Sequence, residues 1–266
     1  MFRYSILISF FLIKLICLNS CDSPINVFSV QQDINLGIQL DKEIASRPND
    51  FLVLNQTLHP DVYAFLYSML EDILISPDIK YKEKYDWRLR VIHNDSIVNA
   101  FSVPGGSLYV YTGMLKYLDK VDQLAGLLAH LIAHNDQRQT TSAITSAHGL
   151  NKLISIANGN AVSEEISEVI SDLGVLSYSE DFEIITDDLS VDYLGTTKYA
   201  CNSTGLLFSK LYQGLPLINR FWNCHSQLDD RITKINDKAA LIGCSTSLWH
   251  DNGDNGNYSA MIATLP

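Results

Sequence analysis

Hydrophobic and polar positions follow two rhythms along this chain. From Trp87 to Ile92 the period is two, with Leu89 and Val91 on one side, which predicts a strand. Pro104-Gly105-Gly106 marks a turn, and Ser107 to Tyr111 reads as the next strand. Elsewhere the period is helical. Ser29-Val30-Gln31-Gln32 is a capping-box pattern, Ser followed three residues later by Gln, and predicts a helix to about Ala45. Val62, Phe65, Leu66, Met69 and Ile73 share one face of a helix over 60–75. Further helical spacing covers 121–137, 162–174, 179–196, 203–212 and 226–238. No internal repeat interrupts this order. The polar, glycine-rich run from His250 (HDNGDNGN) reads as a mobile loop, because it lacks the ligand spacing and terminal Glu of a calcium loop. The expected fold class is α+β, mostly helical with a small sheet.

Composition narrows the field. With 47% hydrophobic and 18% charged residues, the 266-residue chain can bury one ordinary core, which excludes a disordered linker. A net charge of −11 repels phosphate backbones, so nucleic acid is not an expected partner. Residues 1–20 have Arg3 and then an apolar run from Tyr4 to Leu18, broken by Lys14 and short for a membrane span; they read as a secretory signal. Leu18-Asn19-Ser20-Cys21 resembles a bacterial lipobox, which implies lipidation of Cys21 and membrane anchoring through it. Residues 21–27 would be a short linker, 28–238 the domain, and 239–266 a partly mobile tail. In an exported chain Cys201, Cys224 and Cys244 offer one disulfide with one free thiol, of a pair the sequence does not choose; three small buried hydrophobes are the alternative.

The chemistry sits in the helix from 121, which carries His130-Leu131-Ile132-Ala133-His134. Two His at i and i+4 lie one above the other, so both imidazoles can reach one metal ion. On another helix Glu183 and Asp187 are also four apart, offering a third ligand and a carboxylate to orient a ligating His. Asp188 is the register alternative to Asp187. His59, His93, His148 and His250 carry no motif.

Upstream stands Asn99-Ala100-Phe101-Ser102-Val103-Pro104-Gly105-Gly106, followed by the aromatic strand and Thr112-Gly113-Met114-Leu115. With the His pair and the Glu183–Asp187 pair, this resembles the HtpX and CAAX-prenyl-protease type zinc metallopeptidases of peptidase family M48, in the exported branch. The resemblance covers about 28–238. It implies a zincin-type domain with its small sheet beside the active-site helix, and one Zn2+ held by His130, His134 and Glu183 with Asp187 behind them. Arg138 matches the Arg after the second His, while Gln139 replaces a frequent His. His225 and Arg231 resemble the family's HP-x-x-x-x-R segment, with Ser226 in place of Pro, which makes His225 a candidate fourth ligand or oxyanion stabiliser.

One departure dominates. The family motif is HExxH, in which Glu takes a proton from water, and here Leu131 stands in its place. A substitute base would have to come from elsewhere, such as Glu180, Asp181 or His225. The expected function is a zinc-binding, catalytically impaired member of a bacterial periplasm, which binds unfolded envelope peptides or tunes a paralogue. An active metalloendopeptidase with an outside base and a metal-free scaffold are the alternatives. Asn99, Ala100, Phe101, Pro104, Gly105 and Gly106 are the expected peptide-binding edge, to which an extended peptide adds as a strand. Tyr109 and Tyr111 are expected to pack the sheet.

Overall fold

The computed structural model describes residues 26–213, 228–249 and 254–266. Residues 1–20, read above as a secretory signal, and Cys21, Cys224, His225 and His250 therefore lie outside the described residues.

The order is α1 (Val30–Ser46), α2 (Pro60–Leu74), β1 (Arg88–Ile92), β2 (Ala100–Val103), β3 (Ser107–Tyr111), α3 (Thr112–Tyr117), α4 (Val121–Asp136), α5 (Gln139–His148), α6 (Leu150–Ala157) and α7 (Ser163–Asp172). A 3-10 turn at Leu173–Val175 leads to α8 (Glu180–Leu194), α9 (Ser203–Gln213), α10 (Leu228–Ile242) and α11 (Asp254–Ala263). Among these described elements, helix dominates over one three-stranded sheet, as the pattern predicts. No described helix is long and apolar enough to cross a membrane.

β3 is the central strand. β1 runs parallel to it, with Arg88 opposite Ser107 and Ile92 opposite Tyr111, and β2 runs antiparallel on the other side. Every residue of α4 is buried, so this helix threads the middle of the domain between the sheet, α8 and α9. Its close approach to α9 depends on Gly126, because a side chain there would overlap the main chain of Ser203. One apolar cluster joins α2, α4, α9, α10 and α11; a second fills the space between α1, the other face of the sheet and α5–α7.

α1 begins as its sequence dictates. Ser29 Oγ accepts from the Gln32 amide at 3.2 Å, and Gln32 Oε1 accepts from the Ser29 amide at 2.8 Å. It buries Leu36, Leu40 and Ile44. Gly37 lets it ride over the Pro104 carbonyl, which a side chain would overlap. Arg138, in the left-handed region at φ 59°, turns the chain after α4 and binds Asp33 and the Phe28 carbonyl. The entry of α1 is thus fastened to the exit of α4.

Two regions differ from the sequence reading. α5 and α6 were not expected, since Thr and Ser are weak helix formers; burial of Gln139 to Ile144 makes α5 helical. The last segment carries more helix than the pattern predicts: α10 extends to Ile242, and α11 begins at Asp254 within the run read as a loop. Tyr258, Met261 and Leu265 enter the core, with the Tyr258 hydroxyl donating to the Leu115 carbonyl at 2.6 Å. Cys201 and Cys244 form the disulfide, tying the approach to α9 to the end of α10.

Candidate metal centre

α4 places His130 and His134 on one face, a turn apart, with their Nε2 atoms 3.1 Å from each other. α8 brings Glu183 Oε2 to 3.7 Å from the first and 3.8 Å from the second. All three side chains are buried. Four zinc ligands at the usual 2.0–2.1 Å in a tetrahedron lie about 3.4 Å apart, so this triangle brackets the required size.

The surrounding bonds set which atoms face inward. His130 Nδ1 lies 3.3 Å from Asp187 Oδ1, which sets the carboxylate against the ring nitrogen turned away from Glu183. His134 Nδ1 lies 2.7 Å from Gln139 Oε1. The Gln139 amide is fixed in that sense, because its Nε2 donates to the Phe182 carbonyl at 3.3 Å and Thr186 Oγ1 donates to its Oε1 at 2.8 Å. Assigned from this network, both imidazoles carry their proton on Nδ1 and turn an Nε2 lone pair toward Glu183. Three acceptor atoms thus converge in a buried place, a donor set that fits a divalent cation. Zinc suits two imidazoles and a carboxylate, and supplies Lewis acidity toward a peptide carbonyl and toward water.

Arg231, from α10, stands behind the triangle. Its Nε and Nη2 donate to Asp187 at 2.6 and 2.7 Å, and Nη2 also meets Glu183 Oε2 at 2.7 Å. Burial opposes its charge, but Asp187 and Glu183 outweigh that and hold its pKa above the ordinary value. The guanidinium lies 4.4 Å from the Phe208 ring centroid, and His130 packs edge-on against the same ring.

Leu131 occupies the wall where the family motif has its base. It is 4% exposed, and it lines a narrow cleft with the strand residues Asn99 to Ser102, with His134, and with Leu173, Gly174, Leu176 and Tyr178. That cleft has room for roughly one water, about 20 Å³. Among the described residues no acidic side chain lines it. Glu180 and Asp181 are exposed on the first turn of α8 and do not reach it.

The structure brings His130, His134, Glu183, Asp187 and Arg231 together as the sequence suggests, and it is Asp187, not Asp188, that meets His130. The expected peptide edge divides. Asn99 to Val103 do form the free edge of the sheet beside His134, but they are buried. Pro104, Gly105 and Gly106 instead pack inward: side chains at the two glycines, with φ of 82° and 107°, would press on Ile34 and on Tyr85. Asn135 holds this turn, donating to the Val103 carbonyl at 2.6 Å and accepting from the Gly106 amide at 3.2 Å. Those three residues therefore shape the fold rather than a ligand surface. Gln139, Thr186 and Tyr178, whose ring stacks on His134 with centroids 3.8 Å apart, were not read as site residues; only the replacement of a frequent His at Gln139 hinted at one of them.

Comparison with known proteins agrees with this arrangement. A sequence model of Peptidase family M48 matches residues 61–239. The mitochondrial metalloendopeptidase OMA1 of Schizosaccharomyces pombe is 26% identical over 156 residues, covering 57% of this chain and 46% of that protein. Its Bos taurus counterpart is 33% identical over 86 residues, 32% of this chain and 16% of that one. The OMA1 of Arabidopsis thaliana is 33% identical over 63 residues, 24% and 13% of the two chains. This chain therefore spans less than half the length of the curated relatives it matches. Their mitochondrial setting overturns the expected bacterial periplasmic location. The likeness is to the OMA1 proteins rather than specifically to the HtpX and CAAX-protease branch. With the matched segment containing every residue of the buried triangle, this chain belongs to peptidase family M48.

Proposed function

We propose that this protein holds one zinc ion at His130, His134 and Glu183, has lost most peptidase turnover, and acts in mitochondria by binding extended peptide segments. The observation that carries this reading is Leu131: an intact ligand triangle stands beside a cleft whose described lining offers a leucine where a proton acceptor is needed. Binding a peptide needs no general base, so it outlives the loss of hydrolysis. The mitochondrial setting rests on the names of the OMA1 relatives.

The test compares zinc-loaded wild type with Leu131→Glu on a quenched fluorescent casein. A general base is worth roughly 10²–10⁴ in rate, so the variant should cleave faster by that order. Equal rates would contradict the reading and favour the second one, an active metalloendopeptidase with its base elsewhere, which the relatives' names support.

A further inference from the structure

The free edge of β2 is covered by the chain itself. Between α7 and α8 the segment Leu173–Tyr178 lies along it and narrows the cleft. Asn99 Nδ2 donates to the Gly174 carbonyl at 2.7 Å, so a side chain of the cleft already holds a main-chain acceptor of the kind an extended peptide offers. Leu173 and Leu176 are buried against the strand. Tyr178 closes the far end by stacking on His134, and its hydroxyl is 3.4 Å from Thr140 Oγ1, itself 2.8 Å from Ser102 Oγ on β2. On the other side of the Asn99–Gly174 contact lies a second cavity of about 290 Å³, which shares Asn99, Phe101 and Gly174 with the cleft and is walled by Phe51, Tyr111 and Ile170. Lifting Gly174 off Asn99 would join the two spaces into one groove along β2.

We infer that Leu173–Tyr178 is a strap occupying the peptide groove, latched at Asn99 and Tyr178, and that an unfolded polypeptide gains the metal centre only by displacing it. The inference rests on the peptide-binding reading above for what displaces the strap, but the strap itself is testable without a peptide. Such a segment suits displacement: two side-chain hydrogen bonds, one ring stack and two buried leucines are what tie it to the cleft wall, and local openings of short segments precede global unfolding.

The experiment is hydrogen exchange of the full chain, wild type against Leu176→Ala/Tyr178→Ala, with fluorescein-labelled casein binding measured in parallel. Amides of β2 (100–103) should exchange about tenfold faster in the variant while those of α2 and α9 keep their protection. Tyr178→Ala alone, a milder change, should move β2 in the same direction, and Tyr178→Phe, which keeps the stack and loses only the 3.4 Å hydroxyl contact, should move it much less. Casein should bind the double variant more tightly than wild type, and should speed exchange over 173–178 in wild type. Unchanged β2 exchange in both alanine variants would overturn the strap. Faster β2 exchange with no casein binding to either protein would support the strap and contradict peptide binding.

Discussion

His130 Nδ1 lies 3.3 Å from Asp187 Oδ1, and the same carboxylate takes two hydrogen bonds from Arg231. One buried aspartate thus fixes a metal-facing imidazole and is itself held by a cation from a different helix. Because Arg231 also meets Glu183, the ligand triangle on α4 and α8 is braced by α10.

Removing that brace leaves two buried carboxylates without their cation. Arg231→Met, which keeps the bulk over Phe208, should cost about 3–5 kcal/mol in urea unfolding of the zinc-free protein. Added zinc should recover part of the loss, since it neutralises Glu183. A loss below about 1 kcal/mol would show that the pair is not buried as described.

Gln139 orients His134 without touching the metal position. Gln139→Leu should weaken zinc binding about 10–100-fold, the usual effect of losing a partner behind a ligating histidine. Gln139→Glu keeps an acceptor for Nδ1 and should retain most of the affinity. Competition against a chromogenic chelator reads both, and equal affinities in Gln139→Leu and wild type would refute the positioning role.

Asn135 pairs with two main-chain groups of the Val103–Gly106 turn. Asn135→Leu should destabilise the protein by about 1–3 kcal/mol for each group left unpaired. The loss should appear in thermal melts with and without zinc alike.

Gly126 sits where α4 crosses α9, and a methyl group there overlaps the Ser203 main chain. Gly126→Ala should cost about 1–3 kcal/mol by forcing the helices apart, despite alanine's better helix propensity. A gain in stability in urea unfolding would show that the crossing is looser than it looks.

How much of this was legible depended on the distance over which each residue acts. The His pair and the Glu183–Asp187 pair declare themselves, because four residues on a helix is one turn and chemistry at that spacing is local. Leu131 was legible for the same reason, as a wrong residue inside a local pattern. Tyr178 and Thr186 gave no such signal, since they reach His134 from another element across the fold. Pro104-Gly105-Gly106 was read as a binding edge, whereas its glycines are needed for positive φ and close packing against α1 and Tyr85. α11 was missed because its first residues are polar and glycine-rich, and only Tyr258, Met261 and Leu265 further on anchor it to the core. The location was misjudged from an N-terminal pattern lying outside the described residues.

Zinc content per chain, measured on purified protein alongside His130→Ala, tests the central claim most directly. The buried triangle of His130, His134 and Glu183 predicts close to one zinc in wild type and its loss in the variant. No zinc in either protein, with both folded, would contradict a metal centre and leave the His pair as a relic.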